Sequence, residues 1–175
     1  MKNKLIDAIT SEQALGILKN LAEKDRSIAD QIEKEAERIF KKVDSEEICE
    51  SVYWILDGID VEELWDRSGS NRNGYSSPDD MSIQMMEELL DPFEEQMNKY
   101  IDLGFVEEAK QYCMGLLKGI YRYNQESESE FKNWASDVPG ECFSYLFREW
   151  KKVTKNKRYQ EEMSKFLKDN CSEWS

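Results

Sequence analysis

Apolar residues recur at three- and four-residue spacing along almost the whole chain, and this period constrains the fold more than any other feature. Ile28, Ile32, Ala36, Ile39, Phe40 and Val43 form the clearest run. On a helix they share one side, whereas on a strand they would scatter over both faces. The same period joins Ala14, Leu15, Leu18, Leu21 and Ala22, then Ile48, Val52, Ile55 and Leu56, and later Met81, Met85, Met86, Leu89, Leu90, Phe93 and Met97. No segment shows the two-residue alternation of a half-buried strand. With three prolines and eight glycines among 175 residues, little interrupts these stripes.

Start and stop signals divide the pattern. Thr10 with Gln13, Asp44 with Glu47, and Asp60 with Glu63 each place an oxygen acceptor three residues before a Glu or Gln, the spacing of a capping box. Ser77 precedes Pro78, Asp79 and Asp80: a cap, a pre-set φ, then negative charge at the positive end of the helix dipole. These signals predict helices over about 11–22, 27–42, 45–57, 61–67, 78–103, 105–123, 139–153 and 157–169. Pro92 falls inside the long fifth helix and predicts a kink, or a restart capped by Asp91. Gly115 and Gly119 cost helix propensity and predict a neighbour that approaches bare backbone. Residues 124–137 read as a polar joint with one helical turn around Phe131 and Trp134.

The expected fold is therefore all-α: about eight helices stacked as antiparallel neighbouring pairs, an irregular α-solenoid of the HEAT or tetratricopeptide type without a fixed period. A length of 175 residues fits a single helical domain, 1–175, or at most sub-units 1–67 and 78–175 joined by the polar loop 68–77.

Charge narrows the partners. Twenty-four basic against 37 acidic residues give a net −13, which repels a phosphate backbone. No nucleic acid is expected, and a protein partner, basic if charge selects it, fits better. There is no histidine, and Cys49, Cys113, Cys142 and Cys171 are far apart, so no zinc site is expected. The first three cysteines read as buried small hydrophobes, while Cys171 is undecided. The longest unbroken apolar run is the short VYWIL from Val52, so neither a membrane span nor a signal peptide is expected, and the chain reads as cytoplasmic.

Candidate chemistry is sparse. Glu87 and Glu88, Glu94 and Glu95, and Glu107 and Glu108 are adjacent acids that diverge on a helix and read as solvated faces. The ESESE stretch from Glu126 lacks EF-hand spacing and its glycine. Trp54 and Tyr112 adjoin apolar stripes and read as core. The one long polar break, SGSNRNGYSSP from Ser68, exceeds the usual length of a helix connection. Around it lie Trp65, Asp66, Arg67, Arg72 and Tyr75, residue types that anchor protein contacts or hold an anion. The loop matches neither the GxxxxGK[ST] nor the GxGxxG phosphate motif. Arg67 and Arg72 have Asp66, Asp79 and Asp80 as expected internal partners.

ELWDRSGSNRNGYSSPDDM, followed by LLDPFEEQMNKYIDLGFVEEAKQYCMGLLKGIYRY, resembles the helical region of prokaryotic SWIM zinc-finger proteins and their uncharacterised relatives. The likeness covers Asp60 to about Trp134, under half the chain. It implies an irregular helical-repeat scaffold with no catalytic residues to carry over. A SWIM finger needs CxC followed by CxH, and neither is present.

The sequence thus predicts a non-catalytic protein-interaction or scaffold module with an acidic surface. The alternative is a small-molecule or anion-binding protein, or an enzyme, using the loop over 65–80. No cofactor is expected, and homo-oligomerisation is left open.

Overall fold

A computed structural model describes residues 5–71 and 74–174. It contains eight α-helices: α1 (Ser11–Lys24), α2 (Arg26–Phe40), α3 (Ser45–Asp57), α4 (Val61–Arg67), α5 (Pro78–Asp102), α6 (Val106–Glu126), α7 (Val138–Val153) and α8 (Lys157–Asn170). The all-α class expected from the apolar period is the class observed. Two short strands, β1 (Gly69–Asn71) and β2 (Gly74–Ser76), form the only sheet among the described residues.

The chain forms two compact units, Met1–Lys42 and Val43–Ser175. The polar loop at 68–77 thus lies inside the second unit and does not mark a boundary.

In the first unit, Thr10 opens α1 with a complete capping box: its hydroxyl accepts from the Gln13 amide at 3.2 Å while the Gln13 side chain accepts from the Thr10 amide at 3.0 Å. Asp25 ends α1 and caps α2, accepting from the amides of Ser27 and Ile28. The two helices fold against each other across this single residue. No described residue of this unit is buried.

In the second unit the helices gather around α6, which packs against α3, α5, α7 and α8. Of the neighbouring pairs that a solenoid would stack, α1 with α2 and α5 with α6 pack together, whereas α3 with α4 and α7 with α8 are not among the main contacts. Beyond those pairs, α6 draws α3, α7 and α8 to itself. The physical reason is its composition: Ala109, Cys113, Met114, Leu116, Leu117, Ile120 and Tyr123 are buried on several sides of it, not along one stripe. Gly115 and Gly119 let α3 come closest. A β-carbon at Gly115 would stand 2.5 Å from the Ser45 carbonyl oxygen, and one at Gly119 would stand 2.6 Å from Cβ of Val52. Ion pairs flank this seam: Lys118 Nζ meets both Glu46 carboxylate oxygens at 2.7 and 2.8 Å, and Arg122 bonds Glu50 and Glu126 while lying over the Tyr53 ring.

Helix α5 runs through Pro92 as one 25-residue helix, so of the two alternatives there the restart does not occur. Pro92 is exposed, where water can serve the carbonyl that its ring leaves unbonded. Trp54 is 62% exposed, not core. The buried stripe of α3 is Cys49, Val52, Tyr53 and Leu56, and Trp54 points away from it, its indole N–H donating to Glu50. Cys171 is fully buried. In the joint between α6 and α7, Phe131 on a single 3₁₀ turn is the buried anchor, while the Ser127 hydroxyl donates to Asp57 at 2.6 Å.

Candidate interaction groove

The loop that follows α4 is a small β-hairpin. Gly69 pairs with Ser76, Ser70 with Tyr75 and Asn71 with Gly74. Glycine is required at its ends, since Gly69 has φ +101° and Gly74 φ +134°. Ser77 then caps α5, accepting from the Asp80 amide at 3.1 Å while its hydroxyl donates to the Asp80 carboxylate at 2.6 Å. Arg72 lies outside the described residues.

Arg67 is tied internally, with partners other than those expected. Instead of Asp66, Asp79 or Asp80, it meets both oxygens of Glu88 at 2.8 Å and Glu63 at 3.5 Å. The reason is packing: α4 lies against α5, so a carboxylate in the third turn of α5 is nearer the guanidinium than the acids beside it in sequence. This bond, with a second from Gln84, holds the Glu88 carboxyl below its ordinary range. Trp65 packs edge-on against Trp134 with centroids 4.7 Å apart, joining α4 to the joint before α7. Asp66 is exposed, and Tyr75 on β2 is 71% exposed. The four of these residues that the structure describes do not converge on one cavity: Arg67 joins helices, Trp65 pairs with another tryptophan, Asp66 is exposed, and Tyr75 projects from the hairpin.

A different set of residues does converge. Between α5 and α7 runs a half-open groove of about 790 Å³. Its floor is apolar: Ile83 and Leu90 from α5, and Val138, Cys142 and Leu146 from α7. Its rim is acidic. Glu87, Asp91 and Glu94 share a face of α5 at four- and three-residue steps, with Glu88 beside them, and Glu141 faces them from α7. The Tyr145 hydroxyl donates to Glu94 at 3.2 Å, and the charge of Glu94 raises the Tyr145 pKa. Glu87, Asp91 and Glu141 have no ion pair among the described residues. Arg148 is the one cation in the lining among the described residues and lies over the Tyr145 ring. Burial, with Glu87 and Glu141 nearby, pushes the Cys142 thiol up to about 11, so near neutral pH it is a protonated part of the floor.

A second groove, about 590 Å³ between α7 and α8, carries Lys151, Lys157, Lys165 and Lys168 against Glu161 and Asp169. One buried charge cluster lies elsewhere. Lys110, only 3% exposed, bonds Glu107 at 2.7 Å and Glu162, and sits 4.7 Å from the Tyr159 ring centre. Desolvation opposes its charge, but the two carboxylates win and raise its pKa. With every partner internal, it fastens α8 to α6. No group of three His, Cys, Asp or Glu side chains among the described residues can hold a metal ion. Among the described residues no helix is long and apolar enough to cross a membrane.

Each acid pair taken alone gives no sign of the groove, which needs α5 and α7 side by side. The signal was there: 87, 91 and 94 on one helix and 141, 145 and 148 on another follow the same helical steps as the apolar residues they border. Comparisons with protein-family models, curated proteins and solved structures find no match for the chain.

Proposed function

We propose that this chain is a non-catalytic protein-interaction module whose α5–α7 groove receives a basic, amphipathic segment of a partner protein. The observation that carries the reading is the groove's composition: an apolar floor bordered by carboxylates, of which Glu87, Asp91 and Glu141 have no cation paired to them among the described residues. A helix or extended peptide with an apolar stripe between lysines or arginines matches both parts. The stripe takes the floor, and the cations neutralise the rim. Catalysis is not favoured: the thiol in the floor is held protonated, and Arg67 is occupied by Glu88 and Glu63.

The reading is tested with a labelled peptide that places lysines on either side of a leucine stripe, titrated by fluorescence anisotropy. Saturable binding that weakens as salt rises is expected, because the rim charges are solvent-facing. The triple variant Glu87→Gln, Asp91→Asn, Glu141→Gln should bind about tenfold more weakly, a loss of about 1.4 kcal/mol. The same peptide with glutamates in place of lysines should not bind. Equal affinity of the triple variant and the native chain would remove the groove from consideration.

A further inference from the structure

The α5–α7 groove is not equally acidic along its length. Helices α5 and α7 run side by side in the same direction, as three contacts in the same order show. The Ser82 hydroxyl donates to the carbonyl of Trp134, just before α7. Glu87 then lies near Cys142, where its charge adds to the effect of burial in raising that thiol's pKa. Farther along, the Tyr145 hydroxyl donates to Glu94. Positions along α5 can therefore be matched with positions along α7, at about 1.5 Å per residue.

Glu87, Asp91 and Glu141 gather toward the end of the groove that begins with Ile83 and Val138. None of the three has an ion pair among the described residues, while Glu88 beside them is bonded by Arg67. About 10 Å from Glu87 and Glu141, two turns farther along each helix, stand Glu94 and Arg148. The charges of this second pair cancel in sum. Glu94 already accepts the Tyr145 hydroxyl. Arg148 lies over the Tyr145 ring, and its contact with Glu149 is 3.6 Å long, while Lys152 holds the same carboxylate at 2.6 Å. With five N–H donors and 63% exposure, the guanidinium keeps donors for an acceptor arriving from outside.

We infer that the groove reads the order of its ligand's charges: the segment it receives carries lysines or arginines over Glu87, Asp91 and Glu141, and about 10 Å away a carboxylate that pairs with Arg148. The inference rests on the reading of this groove as a peptide site and adds the order of the charges to it. A carboxylate beside Arg148 takes a planar, two-pronged bond from the guanidinium, whereas a lysine there meets a like charge. Arg148 thus selects among basic amphipathic segments that the acids alone would take without regard to order.

Two labelled peptides built on the same leucine stripe test this by fluorescence anisotropy with the full chain. One carries lysines throughout, and in the other the lysines of one terminal turn are glutamates. The ratio of their affinities is measured for the native chain and for Arg148→Glu, Arg148→Gln and Lys168→Glu. Relative to the native chain, Arg148→Glu should shift the ratio about tenfold toward the all-lysine peptide and Arg148→Gln about threefold, the size of one or two exposed charge contacts. Lys168→Glu changes the net charge as much as Arg148→Glu but lies in the α7–α8 groove, so it should leave the ratio within twofold of native. An unchanged ratio in Arg148→Glu, with the all-lysine peptide still losing affinity in the triple variant Glu87→Gln, Asp91→Asn, Glu141→Gln, overturns the charge order and leaves the groove standing. An all-lysine peptide that binds the triple variant as tightly as the native chain removes the groove, and the charge order with it.

Discussion

Gly119 stands where a β-carbon would lie 2.6 Å from Cβ of Val52 and 2.8 Å from the carbonyl oxygen of Cys49. The α3–α6 contact therefore depends on a missing methyl group. Gly119→Ala gains up to about 1 kcal/mol of helix propensity but forces two backbones apart, a strain of about 1–3 kcal/mol. The net effect should be destabilising, and more so with Gly115→Ala added, because a methyl there meets the Ser45 carbonyl at 2.5 Å. Urea unfolding followed by tryptophan fluorescence measures it. Gly16→Ala is the contrasting case, since nothing lies within 4 Å of its added methyl and α1 should gain helicity.

The same glycines show what was legible. Helix stripes, the Thr10 box, the Ser77–Pro78 start and the need for a close neighbour at Gly115 and Gly119 are local properties, and each was readable in sequence. What was not readable depends on which helices meet. Arg67 lies next to Asp66 in sequence but bonds Glu88 because α4 packs on α5. Glu87 and Glu141 look like ordinary solvated acids until α5 and α7 are side by side. The strands at 69–71 and 74–76 are three residues each, too short for a two-residue period to register.

Lys110 tests whether a buried ion pair here stabilises or only positions. Lys110→Met keeps volume and removes the desolvation cost, while Glu107 and Glu162 can be hydrated where they stand. Its unfolding free energy should equal the native value or exceed it by up to about 1 kcal/mol. Glu107→Gln with Glu162→Gln strands the buried cation and should be less stable than Lys110→Met. The pH signs follow from the shifts. Both carboxyls are lowered, chiefly by their bonds to Lys110, so their contribution is full above the ordinary carboxyl range and lost as pH falls through their lowered values. Lys110 is raised, so its contribution is full below the ordinary lysine range and lost as pH rises through its raised value. Urea midpoints of the native chain and Lys110→Met should therefore change relative to each other at the acid and alkaline ends and run parallel near neutrality.

Arg67 should behave as a tie between helices. Arg67→Lys keeps the charge but not the two-pronged contact with Glu88, and is expected to lower stability by up to about 1 kcal/mol, since the pair is partly exposed. Binding of the lysine–leucine peptide to the α5–α7 groove should be unchanged within twofold. A loss of peptide affinity beyond that, at unchanged stability, would assign Arg67 to the binding surface.

Cys142 offers a direct readout of the groove floor. Cys49, Cys113 and Cys171 are buried, and Cys142 alone is partly exposed. Burial raises its pKa from 9 to about 11, which lowers its thiolate fraction at pH 8 about a hundredfold. Alkylation by iodoacetamide, followed by mass spectrometry of the intact protein, should therefore be slow and confined to one site. Its rate should climb about tenfold per pH unit and level off near pH 11, provided the fold survives there. A bound basic peptide covers the floor between Val138 and Leu146, so saturating peptide should slow the reaction at pH 8 severalfold. Alkylation that is unaffected by a peptide shown to bind would place that peptide on another surface of the protein.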